Sequence, residues 1–565
     1  MVAVSKIVFV ATAAAGVMAA PASQQAGPLV QFNEVKQLPA SWASVGQANR
    51  DTMVKAQIGL KQNNIKGLQA KLMDISNPES PNYGKWLSKE QVDEYTAPAA
   101  ADVAAVKAWL AANGITEVSM PSNDWIEFSV PIHQMESLLA AKYELYQHAT
   151  TGAKVPRTKQ YSVPQNLHSV IDVVTPTTAF VSKIAPHIHE NSAKGAAAGG
   201  LTSPASIKSA YNVDYTPSGN GQLIASTGFI GIGASHQDYA AFGRQFVSGL
   251  KDFKDVGVNG GSNSGDGSQL EGNLDTQYMG GVGHPLQSEY LAVAPTGSDD
   301  KSFNDAMLAL TSYLNTNANP PSVVSTSYGA EERTLDGSYL DRICNEFMKA
   351  GSRGVSVFFS SGDNGNGGNG GNNCNNGYYG TWPASCPYVT TVGGTEFDSN
   401  NNEVVANFAQ YTNGKITSPG GGYSEHFTAP DYNKNVTQAY AKTLPSAMQQ
   451  RLNANNRGYP DISLVSVKYQ TNVNGQIAQV LGTSASSPAI AALFGALNDY
   501  RKSKGQANLG FINPLLYSSK TRNALRDVTS GRNPGCDSVG FPAQSGWDAA
   551  SGLGSFDFAK FRTLI

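Results

Sequence analysis

Val355-Ser356-Val357-Phe358-Phe359-Ser360-Ser361-Gly362-Asp363-Asn364-Gly365 is an apolar run of strand length that closes on an aspartate between glycines. A short continuous apolar run bounded by turn residues reads as a strand buried on both faces. Residues 223–227, 323–326 and 388–392 have the same texture, and helical patterns at 303–314 and 339–350 lie among them. Such alternation of strands and helices predicts a mostly parallel sheet flanked by helices. Sheets of this kind carry functional groups beyond the carboxyl ends of their strands, where Asp363 falls. The Asn/Gly-rich tract 364–377 follows a patterned strand and is expected to be a long surface loop.

The 565-residue chain is long enough for two or three units. With 40% hydrophobic and 15% charged residues it can build a large core under a sparsely charged surface. A formal net charge of -3 lacks the basic excess of nucleic-acid binders, so no such partner is expected. Lys6, the apolar residues 7–17 and the small residues Ala19, Ala20 and Ala22 read as a secretory signal. No later stretch reaches the roughly 18 apolar residues of a membrane span, so no membrane partner is expected. Cys344, Cys374, Cys386 and Cys536 are expected to be oxidised in an exported chain, with the pairing left open. Asn435-Val436-Thr437 is a glycosylation sequon that needs a surface loop.

Past the signal, residues 54–59 and 125–130 alternate like strands, while 63–73, 103–112 and 134–142 are helical in pattern. These predict a compact α+β unit. Residues 187–200 then turn small and polar, the texture of an accessible linker where a processing cut would fall. The chain accordingly divides into a signal at 1–19, an N-terminal unit with its linker at 20–195, and a main domain at 196–565.

Near the C-terminal end, Gly482-Thr483-Ser484-Ala485-Ser486-Ser487-Pro488 opens onto an apolar helical run. A serine at a Gly-led helix start lies beside free backbone amides and the positive end of the helix dipole, which favour an oxyanion. An N-cap serine and a first-turn Pro488 would also suit this stretch. A serine hydroxyl needs a base. His236, His284 and His426 are the late histidines, and none has the sequence context of a subtilisin-like base. Carboxylates suit better: Glu271 and Asp275, four apart at the opening of a helix, project from one face. Ser268 and Glu271 would also make a capping box. Two carboxylates on one face can share a proton.

In chain order, Glu271-Gly272-Asn273-Leu274-Asp275, Ser361-Gly362-Asp363-Asn364-Gly365 and the Ser484 stretch resemble the serine-carboxyl peptidases called sedolisins. That family includes kumamolisins and tripeptidyl peptidases. Asp74-Ile75-Ser76-Asn77-Pro78-Glu79-Ser80-Pro81-Asn82-Tyr83-Gly84-Lys85 resembles the family's inhibitory propeptide, so the likeness spans nearly the whole chain. It implies an α/β catalytic domain with a subtilisin-like, mostly parallel sheet, after an α+β, ferredoxin-like prodomain. It also implies that Ser484 attacks the peptide carbonyl, Glu271 moves the proton, Asp275 tunes Glu271 and Asp363 donates to the oxyanion. A glutamate base with a reference pKa of about 4.3 suits an acid medium.

The resemblance further implies one structural calcium ion, held by Asp527 and Asp548 with carbonyls of Val528, Gln544 and Gly546, oxygen donors of the kind calcium prefers. The expected protein is a secreted, extracellular monomer, with a vacuolar or lysosomal place as the alternative. Its partners are peptide or protein substrates and its own propeptide as intramolecular inhibitor. Tripeptide release from free N-termini is the leading expectation, followed by an endopeptidase of the same mechanism, and an inactive peptide-binding relative is the alternative of another class. Residues 325–329 and 418–423 are expected to line the peptide cleft.

Overall fold

The structure, a computed structural model, describes residues 27–565 except 37, 40, 150–151, 153, 181–188, 191–199, 220, 230, 265–269, 295–302, 368–376, 415 and 537–538. The signal segment, Cys374, Ser268, most of the linker and most of the 364–377 tract therefore lie outside the described residues.

The main domain is built on an eight-stranded sheet. Its order is Lys254–Val258, Gln287–Val293, Leu223–Phe229, Val323–Thr326, Ser356–Ser360, Thr390–Phe397 and Glu403–Val405, with Ile462–Val465 also paired to Thr390–Phe397. All pairings are parallel except the last hairpin to Glu403–Val405. The three innermost strands Val323–Thr326, Ser356–Ser360 and Leu223–Phe229 are buried almost throughout. Helices cover both faces, as continuous apolar strands require.

One face packs on the helices Leu270–Gly283 and Thr483–Ser503, whose Leu274, Tyr278, Ile490, Leu493, Phe494 and Leu497 meet Ile224, Val323 and Phe358. The other face packs on Phe303–Thr316 and Gly337–Ser352 through Met307, Leu310, Ile343 and Phe347. A disulfide between Cys344 and Cys386 ties the second of these helices to the turn before Thr390–Phe397, and Cys536 is disulfide-bonded as well.

The N-terminal unit is α+β, as expected. Its four-stranded antiparallel sheet runs Val118–Ser122, Trp125–Pro131, Met53–Leu60, Ile171–Thr175. Val54, Ala56, Ile58 and Leu60 point alternately inward and join Val106, Leu110, Met135 and Leu138 of the helices Ala100–Ala112 and Ile132–Leu139. The latter ends early because Ala140 turns left-handed at φ 45°. Trp125 and Val173 face the other way, onto the helices Phe303–Thr316 and Gly337–Ser352 of the main domain. Of the linker, His189–Glu190 pairs antiparallel with Val480 and Leu481, just ahead of Ser484. Among the described residues no helix is long and apolar enough to cross a membrane.

Candidate active site

Every residue of the helix Leu270–Gly283 from Glu271 onward is buried, an environment that carboxylates rarely occupy without a cationic partner. No ion pair reaches Glu271 or Asp275 among the described residues, and the two sit one turn apart on one face. Burial first, then the charge of Asp275, pushes the Glu271 carboxyl well above its usual range, and burial does the same to Asp275. A pair like this holds one proton between two sites. The hydroxyls of Ser484 and Ser327 lie against Glu271, yet neither of its oxygens completes a hydrogen bond of normal geometry.

Ser484 stands in the first turn of the helix Thr483–Ser503, after the strand Gln476–Leu481. The N-cap Gly482 has φ 134°, which side chains rarely tolerate, so glycine is required at this bend. The helix begins at Thr483, and Pro488 lies inside it and not at its first position. Pro488 has no N–H to give to the Ser484 carbonyl four residues back. The Ser327 hydroxyl lies 3.4 Å from that carbonyl and donates at 2.9 Å to Asp275 Oδ1. Ser327 thus ties the acid pair to the nucleophile turn. It lies in the 325–329 stretch, but its neighbours gave no hint of this bond.

Asp363 follows the strand Ser356–Ser360, as its place in the sequence predicts. Its Oδ1 accepts from Thr483 N at 2.8 Å and Thr483 Oγ1 at 3.0 Å, one residue before Ser484. Its Oδ2 is buried and unpartnered. Burial raises this carboxyl to about 8, so it is protonated through the acid range and has an O–H to donate. The segments 325–329 and 418–423, expected to line the cleft, are buried. Gly420 N donates to Gly362 O at 2.6 Å, and a Cβ on Gly420 would stand 2.1 Å from Ser361 O.

The three late histidines lie away from Ser484, two of them engaged by aspartates. His236 is held between Asp252 and Asp255, and His426 bonds Asp341. His284 follows the far end of the Glu271 helix, about 20 Å along its axis from Glu271.

Asp527 and Asp548 converge on one loop: Gly546 N donates to Asp527 at 2.8 Å and Gln544 N to Asp548 at 2.9 Å. Asp548 is buried and makes no ion pair among the described residues. No group of three His, Cys, Asp or Glu side chains placed to hold a metal ion is found there or elsewhere among the described residues. Asn435 is exposed, on the first turn of the helix Lys434–Thr443 instead of a loop.

The family model described as "Pro-kumamolisin, activation domain" matches residues 40–180, and the "Subtilase family" model matches 270–528. Tripeptidyl-peptidase SED2 of Arthroderma otae is 30% identical over 99% of this chain and 99% of its own length. Tripeptidyl-peptidase sed4 of Aspergillus fumigatus is 31% identical over 94% of this chain and 95% of its own. Tripeptidyl-peptidase 1 of Macaca fascicularis is 30% identical, over 94% of each. Among solved structures, Pseudomonas sedolisin, a serine-carboxyl proteinase complexed with pseudo-iodotyrostatin, superposes with a TM-score of 0.53 at 27% identity. The match covers 65% of this chain and 98% of the sedolisin.

Proposed function

The chain belongs to the sedolisin family of serine-carboxyl peptidases, and from that membership we propose a secreted zymogen whose mature enzyme works in acid and releases tripeptides from free N-termini. The buried Glu271–Asp275 pair against the Ser484 hydroxyl carries this reading. As Ser484 Oγ bonds to the substrate carbonyl carbon, Glu271, ionised while Asp275 holds the pair's one proton, takes the hydroxyl proton and the pair becomes neutral. The carbonyl oxygen becomes an oxyanion that accepts from the protonated Asp363. Collapse breaks the C–N bond, Glu271 returns the proton to the leaving amine, and water repeats the sequence on the acyl-enzyme. Protonated Asp363 and a singly charged pair coexist toward acid pH, which supports acid action.

Tripeptide release is supported by relatives that carry the name tripeptidyl-peptidase over their whole length. A signal at residues 1–19, a prodomain with linker to 195 and a catalytic domain from 196 suit the docked N-terminal unit and the linker strand beside Ser484. The loop at Asp527 and Asp548 suits one calcium ion, with carbonyls of Val528, Gln544 and Gly546: its donors are oxygens, and the buried Asp548 lacks a basic partner among the described residues. Such an ion would hold the C-terminal loops and takes no part in the proton transfers.

Glu271→Gln is expected to abolish hydrolysis at about pH 4 with the fold intact, because the amide cannot take the Ser484 proton. Near-normal turnover would remove Glu271 from the reaction. Mass spectrometry of products from a long peptide, with free and with blocked N-terminus, separates the two modes of cutting. Cleavage indifferent to the block would make the enzyme an endopeptidase. A calcium chelator is expected to lower Tm, and an unchanged transition would exclude the ion.

A further inference from the structure

Two residues along an α-helix turn by about 200°, so Asn273 and Gln277 occupy the face opposite Glu271 and Asp275. Both amides are buried. They reach the hairpin of Tyr469–Val473 and Gln476–Leu481, whose second strand runs directly into Gly482 and Ser484. Gln277 pairs with both backbone groups of Asn472: Nε2 donates to its carbonyl and Oε1 accepts from its N–H, each at 2.8 Å. Asn273 Nδ2 donates to the same carbonyl at 3.2 Å and to Asp238 Oδ2 at 2.9 Å. Asp238 accepts from Asn474 N at 2.9 Å and Gly475 N at 2.8 Å at the hairpin tip. Side-chain amides therefore stand where a neighbouring strand would pair with the hairpin.

We propose that Gln277, supported by Asn273, is a positioning residue: its two-point grip on Asn472 sets the rotation and height of the glutamate helix against the hairpin that carries Ser484. Apolar packing alone lets a helix roll, whereas paired donors and acceptors fix one register. A shift of about 1 Å at the reacting atoms can cost on the order of 100-fold in rate. This inference rests on Glu271 being the base.

The test uses the full chain, allowed to self-convert in acid, as parent, Glu271→Gln, Gln277→Met and Gln277→Glu. Gln277→Met keeps the length and removes both bonds. Gln277→Glu keeps the shape, and its protonated acid both accepts from Asn472 N and donates to Asn472 O. When ionised it confronts that carbonyl with no proton to donate. Gln277→Met is expected to retain a cooperative unfolding transition while self-conversion and kcat fall on the order of tenfold to 100-fold, with KM nearly unchanged. Gln277→Glu is expected to match the parent at about pH 4, with its kcat relative to the parent falling as pH rises above the carboxylic range. A folded Gln277→Met with parental kcat overturns the proposal, as does a Gln277→Glu to parent ratio that is flat with pH. If Gln277→Met does not fold, the Gln277→Glu profile decides. An active Glu271→Gln would instead refute the assignment of the base, whatever Gln277 does.

Discussion

Asp363 shows how one side chain divides its two oxygens between structure and chemistry. Oδ1 is occupied by Thr483 N and Thr483 Oγ1, so the carboxyl cannot rotate freely, and Oδ2 is left without a partner in a buried place. Burial raises the group to about 8, so its O–H is present below that pH and lost as pH rises through it. Asp363→Asn keeps the acceptor for Thr483 and puts a non-titrating N–H donor where the O–H was. The variant is expected to keep much of its kcat and to lose the alkaline fall that reports Asp363. Asp363→Ala, which removes the donor, is expected to lose about 100-fold or more. Profiles of kcat against pH check both. An alkaline limb in Asp363→Asn that matches the parent's would assign the limb to the Glu271–Asp275 pair.

At the scale of elements, legibility followed burial pattern. The strand Val323–Thr326 has the bounds read from its apolar run, because it is covered on both faces. Lys254–Val258 escaped the reading because it is an edge strand with exposed positions and a mid-strand glycine. The glutamate helix was legible in place, but Glu271, Asn273, Asp275 and Gln277 on opposite faces suggest a solvated helix. Its complete burial depends on a hairpin some 200 residues later, which no local period reveals. Pro488 misled in the same way: it suits a first turn, and its interior place shows only beside Ser327, which lies against the Ser484 carbonyl left without its helical donor. The four candidate catalytic residues were legible because three short motifs carry them in order. The groups that hold those residues in place come from distant segments.

At the scale of the whole molecule, two populations of carboxyls set opposite demands on pH. At the seam between the units, Asp124 is buried against Arg342 at 2.9 Å and Lys349 at 3.1 Å. Burial opposes its charge, but the Lys349 and Arg342 cations prevail and hold it below the usual carboxylate range. Its contribution is present above the unfolded pKa and lost only in strong acid. Glu271, Asp275, Asp363 and Glu332 are buried and Glu403 is partly buried, none of them in an ion pair among the described residues, and desolvation raises each. A raised folded pKa means the native chain binds more protons than the unfolded one. The stability these groups contribute is therefore complete below the unfolded pKa and declines as pH rises through the folded values. His236 and His426, raised by their aspartate partners, act in the same direction. The full chain carrying Ser484→Ala, which cannot cut itself, is thus expected to melt at lower temperature as pH rises from about 5 to about 8. With an unfolding entropy of about 2.1 cal/mol/K per residue, about 1 kcal/mol is worth roughly 1 °C in Tm for a 565-residue chain, and a drop of a few degrees is expected across that range. The Asp124 seam should hold throughout it, so the N-terminal unit stays docked while the whole assembly loses stability. Calorimetry over the pH series decides: a Tm that climbs steadily toward pH 8 would mean that these carboxyls are ionised in the native chain, and the proton shared by Glu271 and Asp275 would go with them.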